Sequence, residues 1–91
     1  MADVNRKPFN EGELETLCKI IAETRDGLTG SQIEYFLRTL KIKDVDPDNT
    51  KWKRLYNALA NRQNETQSGN CVLSFIYKSL NFRTLKISVK P

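Results

Sequence analysis

Asn70-Cys71-Val72-Leu73-Ser74-Phe75-Ile76-Tyr77-Lys78-Ser79-Leu80-Asn81-Phe82-Arg83-Thr84-Leu85-Lys86-Ile87-Ser88-Val89 is the stretch on which the fold turns, because it obeys two periodicities. Leu73, Ile76, Tyr77 and Leu80 recur at i, i+3, i+4 and i+7, one stripe of a helix that Asn70 is suited to cap. Yet Cys71–Tyr77 is rich in strand formers, and Leu85, Ile87 and Val89 alternate with Lys86, Ser88 and Lys90. The spacing predicts a fourth helix over 71–80 and a short strand over 84–89. The competing arrangement is a hairpin of 71–77 with 83–89, placed as the wing of a winged helix would be.

The segments before it read as helices. Thr50 is positioned to cap a third helix ending near Arg62 or Asn64, with Trp52, Leu55, Tyr56 and Leu59 as its core stripe. The polar run from Gln63 to Asn70, which contains Gly69, reads as a flexible loop. Thr29 and Gln32 open a second helix that buries Ile33, Phe36, Leu37 and Leu40. Asn10 and Glu13 have the spacing of a capping box for a first helix, and Phe9 with Leu14 that of a hydrophobic staple. Leu14, Leu17, Cys18 and Ile21 follow as its apolar stripe, and glycine predicts a left-handed exit at Asp26-Gly27. Between helices two and three, Asp46-Pro47-Asp48-Asn49 is turn chemistry. Asp44, Asp46 and Asp48 alternate as in a calcium loop, but the central glycine and terminal glutamate are missing, so the acids read as favouring the next helix dipole. The expected fold is mainly α: a flexible tail over 1–9, then one small winged-helix-like domain of three to four helices over 10–91, with a short C-terminal strand or hairpin. Its stripes should all be consumed by the core, leaving no evident dimer face.

Composition narrows the function. The 91 residues are 38% hydrophobic and carry net charge +4, enough for one modest core. That charge is uneven. Residues 1–50 hold seven Lys/Arg and ten Asp/Glu, whereas residues 51–91 hold eight Lys/Arg and only Glu65 as an acid. A scaffold half of net −3 thus precedes a half of net +7 suited to an anionic partner. No histidine is present, which removes Ser-His and Cys-His pairs and His-containing zinc sites. The glycines form no phosphate loop, and Cys18 and Cys71 read as thiols rather than a disulfide. No apolar run is long enough to span a bilayer, and the N-terminus lacks a signal-peptide pattern. The chain therefore reads as cytoplasmic, not an enzyme, and without a cofactor or metal.

The polar side of helix three carries the functional expectation. Arg54, Asn57 and Asn61 share a strip, and arginine and asparagine have the donors that read guanine and adenine edges in a major groove. Lys51, Lys53 and Arg62 would meet phosphates, and Arg83, Lys86 and Lys90 would extend the footprint. The same residues fit an ordinary solvated face. The connection between helices two and three, about ten residues, is also longer than the three or four of a tight helix-turn-helix. The expectation is a nucleic-acid-binding module, monomer or homodimer. The alternative is a protein-interaction or regulatory module that binds an acidic partner.

One resemblance bears on this. Leu28-Thr29-Gly30-Ser31-Gln32-Ile33, Asp44-Val45-Asp46-Pro47, Asn49-Thr50-Lys51, Arg54-Leu55-Tyr56-Asn57-Ala58-Leu59, Gln63-Asn64, Ser68-Gly69-Asn70 and Val72-Leu73-Ser74-Phe75-Ile76 together resemble a bacterial module. It is the N-terminal winged-helix-like unit of AbiJ-type abortive-infection proteins, which is joined there to a HEPN domain. The resemblance spans roughly residues 11–78 and implies a sensing or nucleic-acid-binding unit in phage defence, with a HEPN-type effector as a possible partner. The RNA-cleaving Arg…His motif of the HEPN part needs a histidine that these 91 residues lack. The ribonuclease activity of the family is therefore not expected in them.

Overall fold

The computed structural model describes residues 6–89, with side chains described through Leu80. Four helices follow one another: α1 (Glu11–Ile21), α2 (Gly30–Thr39), α3 (Lys51–Thr66) and α4 (Asn70–Val89). The first two begin where local chemistry dictates. The Glu13 N–H donates to Asn10 Oδ1 (2.8 Å) and the Asn10 N–H to Glu13 Oε1 (3.1 Å), completing one capping box. Thr29 and Gln32 exchange the same pair of bonds at the start of α2.

The end of α1 differs from the expectation. The helix stops at Ile21, well short of Gly27. Glu23 intervenes: its carboxylate accepts the N–H groups of Asp26 (2.6 Å) and Arg25 (2.8 Å), offering the backbone a turn in place of another helical step. Gly27 does not adopt a positive φ. It is needed for closeness, since a Cβ there would stand 2.6 Å from the carbonyl oxygens of Ile21 and Glu23. Thr50 takes the cap position of α3 without a side-chain cap bond, and its N–H donates to Asn49 Oδ1 (2.7 Å) instead.

α4 is the main correction. It runs as one helix from Asn70 to Val89, and no strand occurs among the described residues. Extending a helix adds one hydrogen bond per residue, whereas an alternating strand needs a partner ladder. No such partner is present among the described residues, so the Leu85/Ile87/Val89 alternation yields to propagation from 70–80. At the start of α4, Ser68 Oγ accepts the Asn70 N–H (3.0 Å).

Leu14, Cys18, Ile33, Leu37, Leu55, Leu59, Val72 and Phe75 form the fully buried centre. Phe36 and Phe75 meet edge to face at 5.8 Å, joining α2 to α4. Trp52 and Tyr56, expected in the core, are only half-buried, while Ala58 and Gln63 take the buried positions on α3. Gln63 explains why the expected loop over 63–66 is helix instead. Its Oε1 accepts the Phe9 N–H (2.7 Å) and its Nε2 donates to the Phe9 carbonyl (3.2 Å). The Gly69 N–H donates to the Arg6 carbonyl (2.8 Å), and the Arg6 N–H to Asn70 Oδ1 (3.0 Å). The stretch read as a flexible tail is therefore fastened to α3 and α4 over residues 6–9; residues 1–5 lie outside the described ones.

Cys18 and Cys71 are free thiols. Burial pushes the Cys18 thiol from 9.0 up to about 12. The unfolded chain then ionises first, so this thiol's contribution is intact below pH 9 and is lost as pH rises toward 12. Stability from urea titrations should fall across that window, by at most ~1.4 kcal/mol per pH unit for this one proton. Iodoacetamide at pH 8 should leave Cys18 unmodified in the folded protein.

Candidate interaction surfaces

The polar residues of α3 are mostly spoken for. Lys51 Nζ donates to the carbonyls of Leu28 (2.9 Å), Glu23 (3.2 Å) and Thr24 (3.4 Å), closing the α1–α2 connection with one ammonium. Arg54 Nε reaches both carboxylate oxygens of Asp44 at 3.1 Å, and its Nη2 bonds the same group. Arg54 Nη1 adds the Gly30 carbonyl (3.4 Å). The pair is largely withdrawn from water, with side chains 12% and 23% exposed. The hydrogen bonds that Arg54 donates to the Asp44 carboxylate raise its pKa above the ordinary value, outweighing the opposing effect of burial. Asn57 Nδ2 donates to Asp46 Oδ2 (2.9 Å), which also accepts from Asn49 (2.8 Å).

Lys51, Arg54 and Asn57, expected to face nucleic acid, therefore clasp the acidic and carbonyl groups of the first half of the chain. A guanidinium whose Nε–Nη2 edge is held in a bidentate carboxylate fork cannot offer that same edge to a guanine. The remaining members are dispersed. Lys53 is exposed and lies 5.9 Å over the Trp52 ring. Asn61 is half-buried. Arg62 pairs with Glu65 (3.4 Å) and borders a cleft of about 360 Å³ beside Ser68, Cys71 and Ser74. Arg83 and Lys86 lie on α4, outside the residues with described side chains, and Lys90 lies outside the described residues altogether. The signal that could have revealed the clasp is in the sequence: two aspartates, Asp44 and Asp46, precede Arg54 and Asn57 across a single turn.

A second surface was not expected. Val72 and Phe75 bury the inner side of α4, and Ser79 and half-buried Ile76 continue it. Leu73, Tyr77 and Leu80, read as core, instead face solvent with 44%, 69% and 56% exposure. Ile20 on α1 is 63% exposed. Between them runs a groove of about 160 Å³, lined by Leu17, Ile20, Ile21, Leu28, Ile76 and Leu80 along with Ser79. Over residues 70–80, α4 therefore carries a buried inner stripe and exposed apolar side chains at Leu73, Tyr77 and Leu80. Both stripes were legible at helical spacing, one through 72, 75, 76 and 79 and one through 73, 77 and 80.

Comparison with protein families, curated proteins and solved structures finds no match to this chain. Among the described residues, no helix is long and apolar enough to cross a membrane.

Proposed function

We propose that this chain is a helical protein-interaction module whose partner docks over the α1–α4 face, and that it is not an enzyme. The observation that carries the reading is the uncovered stripe of Leu73, Tyr77 and Leu80 beside exposed Ile20 and the groove between α1 and α4. Contiguous apolar surface of this kind marks interaction sites. The resemblance to AbiJ-type N-terminal modules, which accompany a HEPN domain, agrees with contact to another protein as the role. Nucleic-acid binding is the second reading. It is favoured by the net +7 of residues 51–91, but the clasped state of Arg54 and Asn57 weighs against base reading by α3.

Affinity capture from nuclease-treated lysate of the native host tests the two. The partner retained by the wild-type protein should also be retained by Lys53→Ala and lost by Leu80→Glu. Leu80 is more than half exposed, so the charge should shift Tm by no more than a few degrees. Capture that disappears with nuclease treatment, and is weakened by Lys53→Ala but not by Leu80→Glu, favours nucleic acid and removes the interaction reading.

A further inference from the structure

We propose that Gln63, Gly69 and Asn70 form a binding site for an extended peptide, filled here by residues 6–9 of the same chain, and that those residues are a strap which an extended segment of a partner displaces. This surface is separate from the α1–α4 groove, since none of its residues lines that groove.

The strap is held as a peptide ligand is held. Gln63 is only 5% exposed, and its amide bonds both the N–H (2.7 Å) and the carbonyl (3.2 Å) of Phe9. The Gly69 N–H donates to the Arg6 carbonyl (2.8 Å), and Asn70 Oδ1 accepts the Arg6 N–H (3.0 Å). All of these bonds go to main-chain groups of the strap, which extended peptides have in common. Main-chain pairing gives such a site its affinity, and contacts to side chains give it selectivity. Phe9 supplies the selective contact: its side chain packs half-buried against the core, while Lys7 and Pro8 are exposed. The ligand is therefore an extended segment with an aromatic residue at the Phe9 position.

Gly69 is suited to this close approach. Its φ is not positive, so a left-handed turn does not account for the glycine. A Cβ there would lie 2.6 Å from the Lys7 carbonyl oxygen, 3.1 Å from Phe9 Cδ1 and 3.2 Å from Arg6 Cγ. Those nearest atoms all belong to the strap. The space left by the missing side chain is where the bound main chain lies.

The helices do not depend on the strap for their starts. Asn10 and Glu13 cap α1 between themselves, and Asn10 is extended (φ −75°, ψ 169°), so the chain can swing there without unwinding the helix. The fully buried centre contains none of residues 6–9. Ordering those residues costs backbone entropy comparable to what a few hydrogen bonds return in water, so closure is finely balanced. Closure also carries a penalty. The Arg6 guanidinium lies 3.9 Å over the Phe9 ring, and its Nε, sealed from water, has no hydrogen-bond partner among the described residues. Lifting the strap returns that donor to solvent. It also leaves the Gln63 amide and the Gly69 N–H without their partners, which favours a replacement peptide.

Hydrogen exchange and an NMR titration on the full chain test this. In the wild-type protein the Phe9 and Gly69 amides should exchange together, at least ~hundredfold faster than the core amides of Leu55 and Leu59. Phe9→Pro removes an N–H and a ring from the strap and leaves Gln63, Gly69 and Asn70 in place. A synthetic peptide with the sequence of residues 4–10 should then move the Gln63 side-chain amide and Gly69 resonances back toward their wild-type positions. Wild-type protein should need at least ~tenfold more peptide for the same occupancy, because its own strap competes. Adding Gly69→Ala to Phe9→Pro should abolish the titration, and a peptide carrying Phe9→Ala should bind more weakly. Phe9 and Gly69 amides that exchange only with the core would make residues 6–9 an integral part of the fold and overturn the proposal. Failure of Phe9→Pro to fold would do the same. So would a folded Phe9→Pro protein in which the peptide leaves Gln63 and Gly69 unmoved, or a titration indifferent to Gly69→Ala.

Discussion

Phe75→Ala should destabilise the fold by about 3–5 kcal/mol, the largest loss expected of any single substitution. Phe75 is fully buried and the largest of the wholly enclosed side chains. It sits one turn after buried Val72 and meets Phe36 edge to face at 5.8 Å. Alanine removes the ring's burial, its aromatic pairing with α2 and the filling of a space that α3 and α4 cannot close without moving. A domain of this size has total stability of roughly 5–15 kcal/mol, so the variant should be partly unfolded at 37 °C. Phe75→Leu keeps most of the volume and should cost much less, within about 2 kcal/mol. Urea denaturation followed by far-UV circular dichroism measures both. A loss below ~1 kcal/mol for Phe75→Ala would mean that α4 does not pack inward through this residue, and the assignment of Leu73, Tyr77 and Leu80 to the outside would fall with it.

The legible and illegible parts of this fold divide by the range of the interactions involved. Asn10 with Glu13 and Thr29 with Gln32 are capping pairs three residues apart, and both stand as the sequence suggested. Such signals need nothing from the rest of the chain. The end of α1 was misplaced because Glu23, exposed and unremarkable in sequence, captures two backbone N–H groups. The strand at 84–89 was misplaced because alternation reports a preference for one face, while a strand also requires a partner. α4 satisfies its own backbone and needs none. Gln63 looked like a loop residue because its role, closing both hydrogen-bonding groups of Phe9, spans 54 residues of sequence.

The candidate site shows the same division. Charge asymmetry was correctly read as a basic second half, and α3 does carry Lys51, Arg54 and Asn57 away from its apolar stripe. What sequence periodicity could not reveal is that the acidic first half folds back over those residues. The three aspartates of 44–48 read as support for a helix dipole. Two of them, Asp44 and Asp46, are instead counter-groups for Arg54 and Asn57. Halves of opposite sign can attract one another as readily as they attract a partner, and here part of the attraction is internal. The outer stripe of α4 was hidden for a different reason: its residues satisfy the core pattern, and only the placement of Val72 and Phe75 decides which of two adjacent stripes faces inward.

Arg54→Ala should cost about 2–3 kcal/mol, lower Tm by more than 8 °C and leave Asp44 without its guanidinium. The value lies between those of exposed pairs, usually under ~1 kcal/mol, and fully buried ones, about 3–5 kcal/mol, because the two side chains are 12% and 23% exposed. Arg54→Lys should recover little, since a single ammonium cannot hold both oxygens of Asp44 and the Gly30 carbonyl together. A double-mutant cycle with Asp44→Asn separates the pair from its surroundings. The two losses should be strongly non-additive, with a coupling of at least ~1 kcal/mol. Additive losses would show that the fork contributes nothing to holding the α2–α3 connection on α3. The cycle also governs how binding data on α3 are read. If Arg54→Ala weakens nucleic-acid binding only as much as Asp44→Asn does, the clasp is what matters and Arg54 is structural. If Asp44→Asn instead strengthens binding while Arg54→Ala weakens it, the carboxylate is competing with phosphate for the same guanidinium. That second pattern would make Arg54 itself a nucleic-acid contact.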